Sequence, residues 1–127
     1  MKIKYMSQDR AEKLKAKPNA AMISITSSGD GAMLDINWEY LLRLEFDDVE
    51  EAGETGSFKR SDALKIRDFL SALPDSVSEL YIHCMAGQSR SGAVARALNE
   101  YYGNKIHEDD YNMMNIRVYE VLTEVLG

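Results

Sequence analysis

The stretch "YIHCMAGQSRSGAVARAL", Tyr81–Leu98, decides the fold. Its first part completes "ELYIHC" (Glu79–Cys84), a short apolar run with Tyr and Ile, which predicts a buried strand. Its second part, Ser91–Tyr102, has the length and composition of a helix and is stopped by Gly103. Between them lies a turn holding Gly87. The chain's only cysteine, Cys84, ends the strand, and Gly87, Arg90 and Ser91 follow it. A buried structural cysteine packs as a small hydrophobe and has no use for such neighbours.

Outward from this unit the same alternation repeats. "IKYMS" (Ile3–Ser7), "AMISIT" (Ala21–Thr26) and "YLLRLEF" (Tyr40–Phe46) are further predicted strands. "DRAEKLKAK" (Asp9–Lys17) predicts a helix capped by Asp9 and ended by Pro18-Asn19. "SDALKIRDFLSAL" (Ser61–Leu73) spaces Leu64, Ile66, Phe69 and Leu73 helically behind a Ser61 cap, and Pro74 ends it. Asp110–Leu126 predicts a last amphipathic helix, with Tyr111, Met114, Val118, Val121, Leu122 and Val125 toward the core. "SSGDG" (Ser27–Gly31) and the acidic segment Asp47–Ser57, with Gly53 and Gly56, are loops. The expected fold is α/β: a central, mostly parallel sheet of about four strands flanked by helices, with the Cys84 strand inside it. Such sheets bind ligands beyond the carboxyl ends of their strands. Cys84 stands at one such end, and Asp47 and Asp48 at another.

The bulk numbers bound what the site can serve. A chain of 127 residues and 14.3 kDa is expected to form one domain, residues 1–127, and no repeat or linker divides it. A net charge of −6 argues against general binding to nucleic acid or anionic membranes. No apolar run approaches the roughly 20 residues of a membrane helix, and the N-terminus lacks the apolar segment of a signal peptide. A lone cysteine makes no internal disulfide, so a cytoplasmic monomer is expected. No His, Cys, Asp and Glu grouping has metal spacing, and no metal or cofactor is expected. An anionic substrate must therefore be drawn by a local positive site.

"CMAGQSR" supplies one. Successive amides from Met85, Ala86, Gly87, Gln88 and Ser89 to Arg90 can converge on one centre, and a helix N-terminus adds partial positive charge. Gly87 suits a positive φ or a close approach. Arg90 brings a planar, bidentate cation. In such positive settings thiols ionise at about pH 3.5–7.5, and the thiolate is the nucleophile. One arrangement thus binds a phosphate and prepares the group that attacks it.

The run His83-Cys84-Met85-Ala86-Gly87-Gln88-Ser89-Arg90-Ser91 resembles the signature of the cysteine-dependent protein tyrosine phosphatase superfamily. It is most similar to the compact dual-specificity branch and its small bacterial and phage-type members. "LLRLEFDD" and the order of elements extend the resemblance over most of the chain. Gly, Arg and Ser/Thr at these offsets from a lone cysteine would coincide in about 4 of 10,000 shuffles of this composition. The resemblance implies a phosphocysteine formed on Cys84 and hydrolysed by water. Arg90 and the loop amides would hold the phosphoryl oxygens, and Ser91 would stabilise the thiolate as leaving group. His83 would orient the loop. Ser91 also suits a helix N-cap.

The family also takes a proton for the leaving group from an upstream aspartate. Asp48 lies 36 residues before Cys84 and Asp47 lies 37. The pattern of an aromatic, a variable residue and Asp, here Phe46-Asp47-Asp48, favours Asp48. Extra length in "EEAGETGS" (Glu50–Ser57) accounts for the spacing, and Asp30 is a remoter candidate. Asn115 and Arg117, on the last helix, match polar positions that line the site in similar proteins. Trp38 is expected in packing and His107 in an exposed loop. The short segment Ser27–Glu39 leaves little to deepen the pocket, so the expected substrates are phosphotyrosine and also phosphoserine or phosphothreonine in proteins. Alternatives are a non-protein phosphoester such as a phosphoinositide or RNA 5′-phosphate, and a phosphate-binding module without turnover. An arsenate reductase or sulfur transferase would need other spacing or more cysteines.

Overall fold

Four apolar runs become four parallel strands in the computed structural model, which describes residues 1–51 and 53–127. In chain order the elements are β1 (Lys2–Ser7), α1 (Gln8–Lys13), β2 (Ala20–Thr26), β3 (Leu41–Glu45), α2 (Arg60–Ala72), β4 (Glu79–Cys84), α3 (Arg90–Tyr101), a 3-10 turn (Glu108–Tyr111) and α4 (Ile116–Leu126). The strand order is β1-β4-β2-β3, and every pairing is parallel. The fold is the α/β arrangement that the sequence predicts. The Cys84 strand lies inside the sheet, between β1 and β2.

The two inner strands are apolar on both faces because both faces are covered. All seven residues of β2 are buried. Ala21, Ile23 and Ile25 of β2 join Leu80, Ile82 and Cys84 of β4 against Ile66 of α2, Val94 and Leu98 of α3 and Val118 and Leu122 of α4. Alternate residues, Met22 and Tyr81, turn the other way onto Met6, Ala11, Leu34 and Trp38. Trp38 packs edge-on against Tyr81, in the packing role expected of it. The register sets Ser24 beside His83 and Ser7 beside Cys84. Among the described residues no helix is long and apolar enough to cross a membrane.

Three helices depart from expectation at their boundaries, each for a local reason. Helix α1 is capped by Ser7, whose Oγ accepts from Arg10 N at 3.3 Å, and not by Asp9. It ends at Lys13 because Leu14 turns extended, and Ala16 N–H donates to Asp35 Oδ2 at 2.9 Å. That bond carries residues 14–17 off the helix. Helix α2 begins at Arg60, and Asp62, not Ser61, serves its start by accepting from Lys59 N at 2.9 Å. The last predicted helix divides into the 3-10 turn and α4. Asn115 caps α4, its Oδ1 accepting from Val118 N at 3.1 Å.

Candidate active site

Cys84 is the last residue of β4, and its Sγ lies 3.1 Å from Ser91 Oγ in the first turn of α3. Cys84 is 2% exposed and Ser91 fully buried, so the sulfur forms the floor of the turn. Burial alone would suit a core cysteine; a polar partner on the sulfur would not be needed there.

Residues Met85–Ser89 pass over this floor without regular structure, with Met85, Ala86 and Gln88 exposed. Gly87 has φ +75, and a Cβ there would fall within 3.0 Å of Ser7 N and Met6 C. The glycine is thus required twice, by its left-handed backbone and by close packing on the end of β1. Gln8 N–H donates to Met85 O at 3.2 Å, a second fastening of the loop to the same point.

Ser89 is the N-cap position of α3, yet its hydroxyl makes no capping bond. Its carbonyl accepts from Ala93 N at 3.1 Å and Asn115 N at 3.0 Å. Among the described residues no side chain accepts from the amides of the first helical turn, the arrangement that favours an anion. Ser91 is not the N-cap; its hydroxyl serves the sulfur.

Arg90 is buried at 6% exposure. Its Nη1 donates to Phe46 O at 2.8 Å and to Ser27 Oγ at 3.3 Å. Phe46 and Ser27 each follow directly on a strand, β3 and β2, so the guanidinium is held across adjacent strand ends. Among the described residues Nε and Nη2 make no hydrogen bond, which leaves three N–H donors for an oxyanion.

The two candidate acids point differently. Asp48 Oδ1 accepts from Ser89 Oγ at 2.7 Å and from Asn115 Nδ2 at 2.8 Å, which joins it to the thiol loop. Asp47 N–H donates to Gly56 O at 2.7 Å, and its carboxylate sits against Gly56, turned toward its own loop. Asp30 is exposed in the turn after β2, where its N–H donates to Ser27 O at 3.0 Å. The extra length assigned to Glu50–Ser57 includes residue 52, which lies outside the described residues.

His83 is fully buried, with Nε2 2.6 Å from Ser24 Oγ and Nδ1 3.4 Å from the Cys84 carbonyl. Burial lowers its pKa from the ordinary 6.5, so the ring is neutral near pH 7. Neutral, it braces β4 against β2 just before Cys84.

Asn115 is brought into the site and Arg117 is not. Besides capping α4, Asn115 donates from Nδ2 to Val49 O at 3.1 Å, so it clamps the segment bearing Asp48. Arg117 Nε donates to Phe58 O at 3.0 Å and braces the chain leading into α2. Sequence reasoning missed Ser24 and the tether role of Ser27. A serine inside the otherwise apolar "AMISIT" was the available signal, because a buried hydroxyl needs a partner. No protein-family model matches the chain, and no curated protein matches its sequence significantly.

Proposed function

We propose that this protein hydrolyses phosphomonoesters through a phosphocysteine on Cys84, as a compact member of the cysteine-dependent protein tyrosine phosphatase superfamily. Its substrates are phosphotyrosine and phosphoserine or phosphothreonine in proteins. The observation that carries this reading is the 3.1 Å contact between Cys84 Sγ and Ser91 Oγ at the head of α3. On this reading the turn amides, the helix end and Arg90 supply the partial and full positive charge that the sulfur and a bound phosphate need.

The chemistry follows from the parts. The thiolate attacks phosphorus, an S–P bond forms, the P–O ester bond breaks, and Asp48 protonates the departing oxygen. Water then attacks phosphorus, gives its proton to the Asp48 carboxylate, and the S–P bond breaks to release phosphate. The Ser91 hydroxyl donates to the returning thiolate, which makes it a better leaving group. Arg90 and the loop amides hold the equatorial oxygens through both steps. The chain between β2 and β3 supports a shallow mouth. Ala32, Leu34 and Trp38 from that segment are spent on the core and do not build a wall around the site.

Phosphate release from phosphotyrosine, phosphoserine and phosphothreonine peptides, a phosphoinositide and an RNA 5′-phosphate tests the reading against Cys84→Ser. Turnover by the wild type that the variant lacks is expected, fastest on phosphopeptides. Tight phosphopeptide binding without phosphate release would replace the enzyme with a binding module.

A further inference from the structure

The charge of this chain is unevenly placed. Six of its fifteen Lys and Arg but only two of its 21 Asp and Glu fall in the first seventeen residues, so a chain of net charge −6 carries a cationic N-terminal segment. The fold lays that segment along one border of the sheet. Among the described residues β1 is an edge strand, paired with β4 alone. Lys2 N–H donates to Ser78 O at 2.8 Å and Gln8 N–H to Met85 O at 3.2 Å, so the even-numbered residues of β1 pair inward. By the alternation of a parallel ladder, the backbone N–H and C=O of Ile3 and Tyr5 point outward.

A cavity flanks this edge on each side of the sheet. One, about 390 Å³, is lined by Lys4, Arg10 and Lys105, with Ile3 and Tyr5 on its wall and Asp110 as its one acid among the described residues. The other, about 400 Å³, shares Lys4 and Arg10 and adds Lys13 and Lys17. Lys13 is paired with Asp9 at 3.2 Å and Lys17 with Glu79 at 3.5 Å. Among the described residues Lys4, Arg10 and Lys105 make no salt bridge, and all three are exposed. A single edge lysine is a common guard against unwanted strand pairing. Here cations from a strand, a helix and two loops surround the open edge from both faces, which is more than a guard requires.

We propose that the open edge of β1 is a docking site for an acidic, extended peptide segment that adds alongside β1 as a fifth strand. Main-chain hydrogen bonds to Ile3 and Tyr5 would supply register, and carboxylates on alternate faces of the peptide would meet the two cationic cavities. The outward peptide groups favour a polypeptide over a nucleic acid, which has no matching backbone. The edge adjoins the thiol loop, whose Gly87 packs on Met6 and Ser7 at the end of β1, but docking along it does not depend on turnover at Cys84.

A labelled peptide Val-Glu-Glu-Glu-Glu-Val, the six-residue length of β1 and with carboxylates on both faces of a strand, tests this by fluorescence anisotropy at low and high salt. Binding is expected, weakened by salt, and reduced about tenfold by the double substitution Lys4→Glu, Arg10→Glu at exposed positions. N-methylation of the peptide at alternate amides should abolish binding, and the Ile3 and Tyr5 amide resonances should shift on addition of the unmethylated form. Equal binding by the N-methylated peptide, or indifference to the double substitution, would overturn the proposal. So would equally tight competition by oligothymidylate, which would mark a plain polyanion site. Concentration-dependent dimerisation abolished by Lys4→Glu would give the edge to a second copy instead.

Discussion

Ser89 Oγ donates to Asp48 Oδ1 across 2.7 Å, so the thiol loop holds the carboxylate proposed as acid. Asn115 Nδ2 grips the same oxygen at 2.8 Å from the head of α4. Two segments distant from it in sequence thereby fix one side chain. Asp48→Asn keeps the shape and removes the proton. Hydrolysis of alkyl phosphates is expected to fall about 10²–10⁴-fold, while activated aryl phosphates, whose leaving groups need little help, lose far less. Equal losses on both substrates would remove Asp48 from the role, and a larger leaving-group effect in Asp47→Asn would transfer it.

Gly87→Ala is expected to damage folding and activity together. The left-handed backbone costs an alanine about 1–2 kcal/mol, and its Cβ would press on the β1 backbone at Met6 and Ser7. Urea melts should show a loss of at least about 1 kcal/mol, with phosphate release reduced beyond what the unfolded fraction explains. A variant of wild-type stability would mean that the turn is not locked onto β1.

Ser91→Ala is expected to separate the two proposed chemical steps. Hydrogen bonds to charged groups contribute about 1.5–3 kcal/mol, so loss of the hydroxyl should slow the second step about ten- to a hundredfold. Attack by Cys84 should be less affected. Rapid-quench kinetics on an aryl phosphate should then show a burst of phenol followed by slow turnover. Absence of a burst with both steps slowed equally would contradict a leaving-group role.

Burial holds the pKa of His83 below its ordinary 6.5. The unfolded chain therefore takes up a proton that the folded chain resists as pH drops below 6.5. Stability supplied by neutral His83 is complete above that value and is lost as pH falls toward the folded pKa, by at most about 1.4 kcal/mol per pH unit. Urea melts at pH 7.5 and 5.5 should show this loss in the wild type and a smaller one in His83→Gln. An identical pH response in both proteins would show that His83 is not the titrating group.

The sheet was legible from sequence because its inner strands are buried on both faces, which leaves unbroken apolar runs such as "AMISIT" and "ELYIHC". Helix ends were less legible, because partners remote in sequence set them. Leu14 leaves α1 near a bond to Asp35, and Asn115 interrupts a continuous helical pattern to serve Asp48, Val49 and Val118 at once. The loop residues were legible as a local motif. Ser24, Ser27 and the turned-away Asp47 were not, since each depends on which strand ends become neighbours. The order β1-β4-β2-β3 creates those neighbours, and no local pattern encodes it.

The most direct test of the account is acid quenching of the wild-type protein during turnover of an aryl phosphate, with the peptide containing residue 84 then examined by mass spectrometry. The account predicts one phosphoryl group on Cys84, absent in Cys84→Ser and enriched in Ser91→Ala, that decays to free phosphate at the turnover rate. Phosphate release with no adduct on Cys84, even in Ser91→Ala, would contradict it.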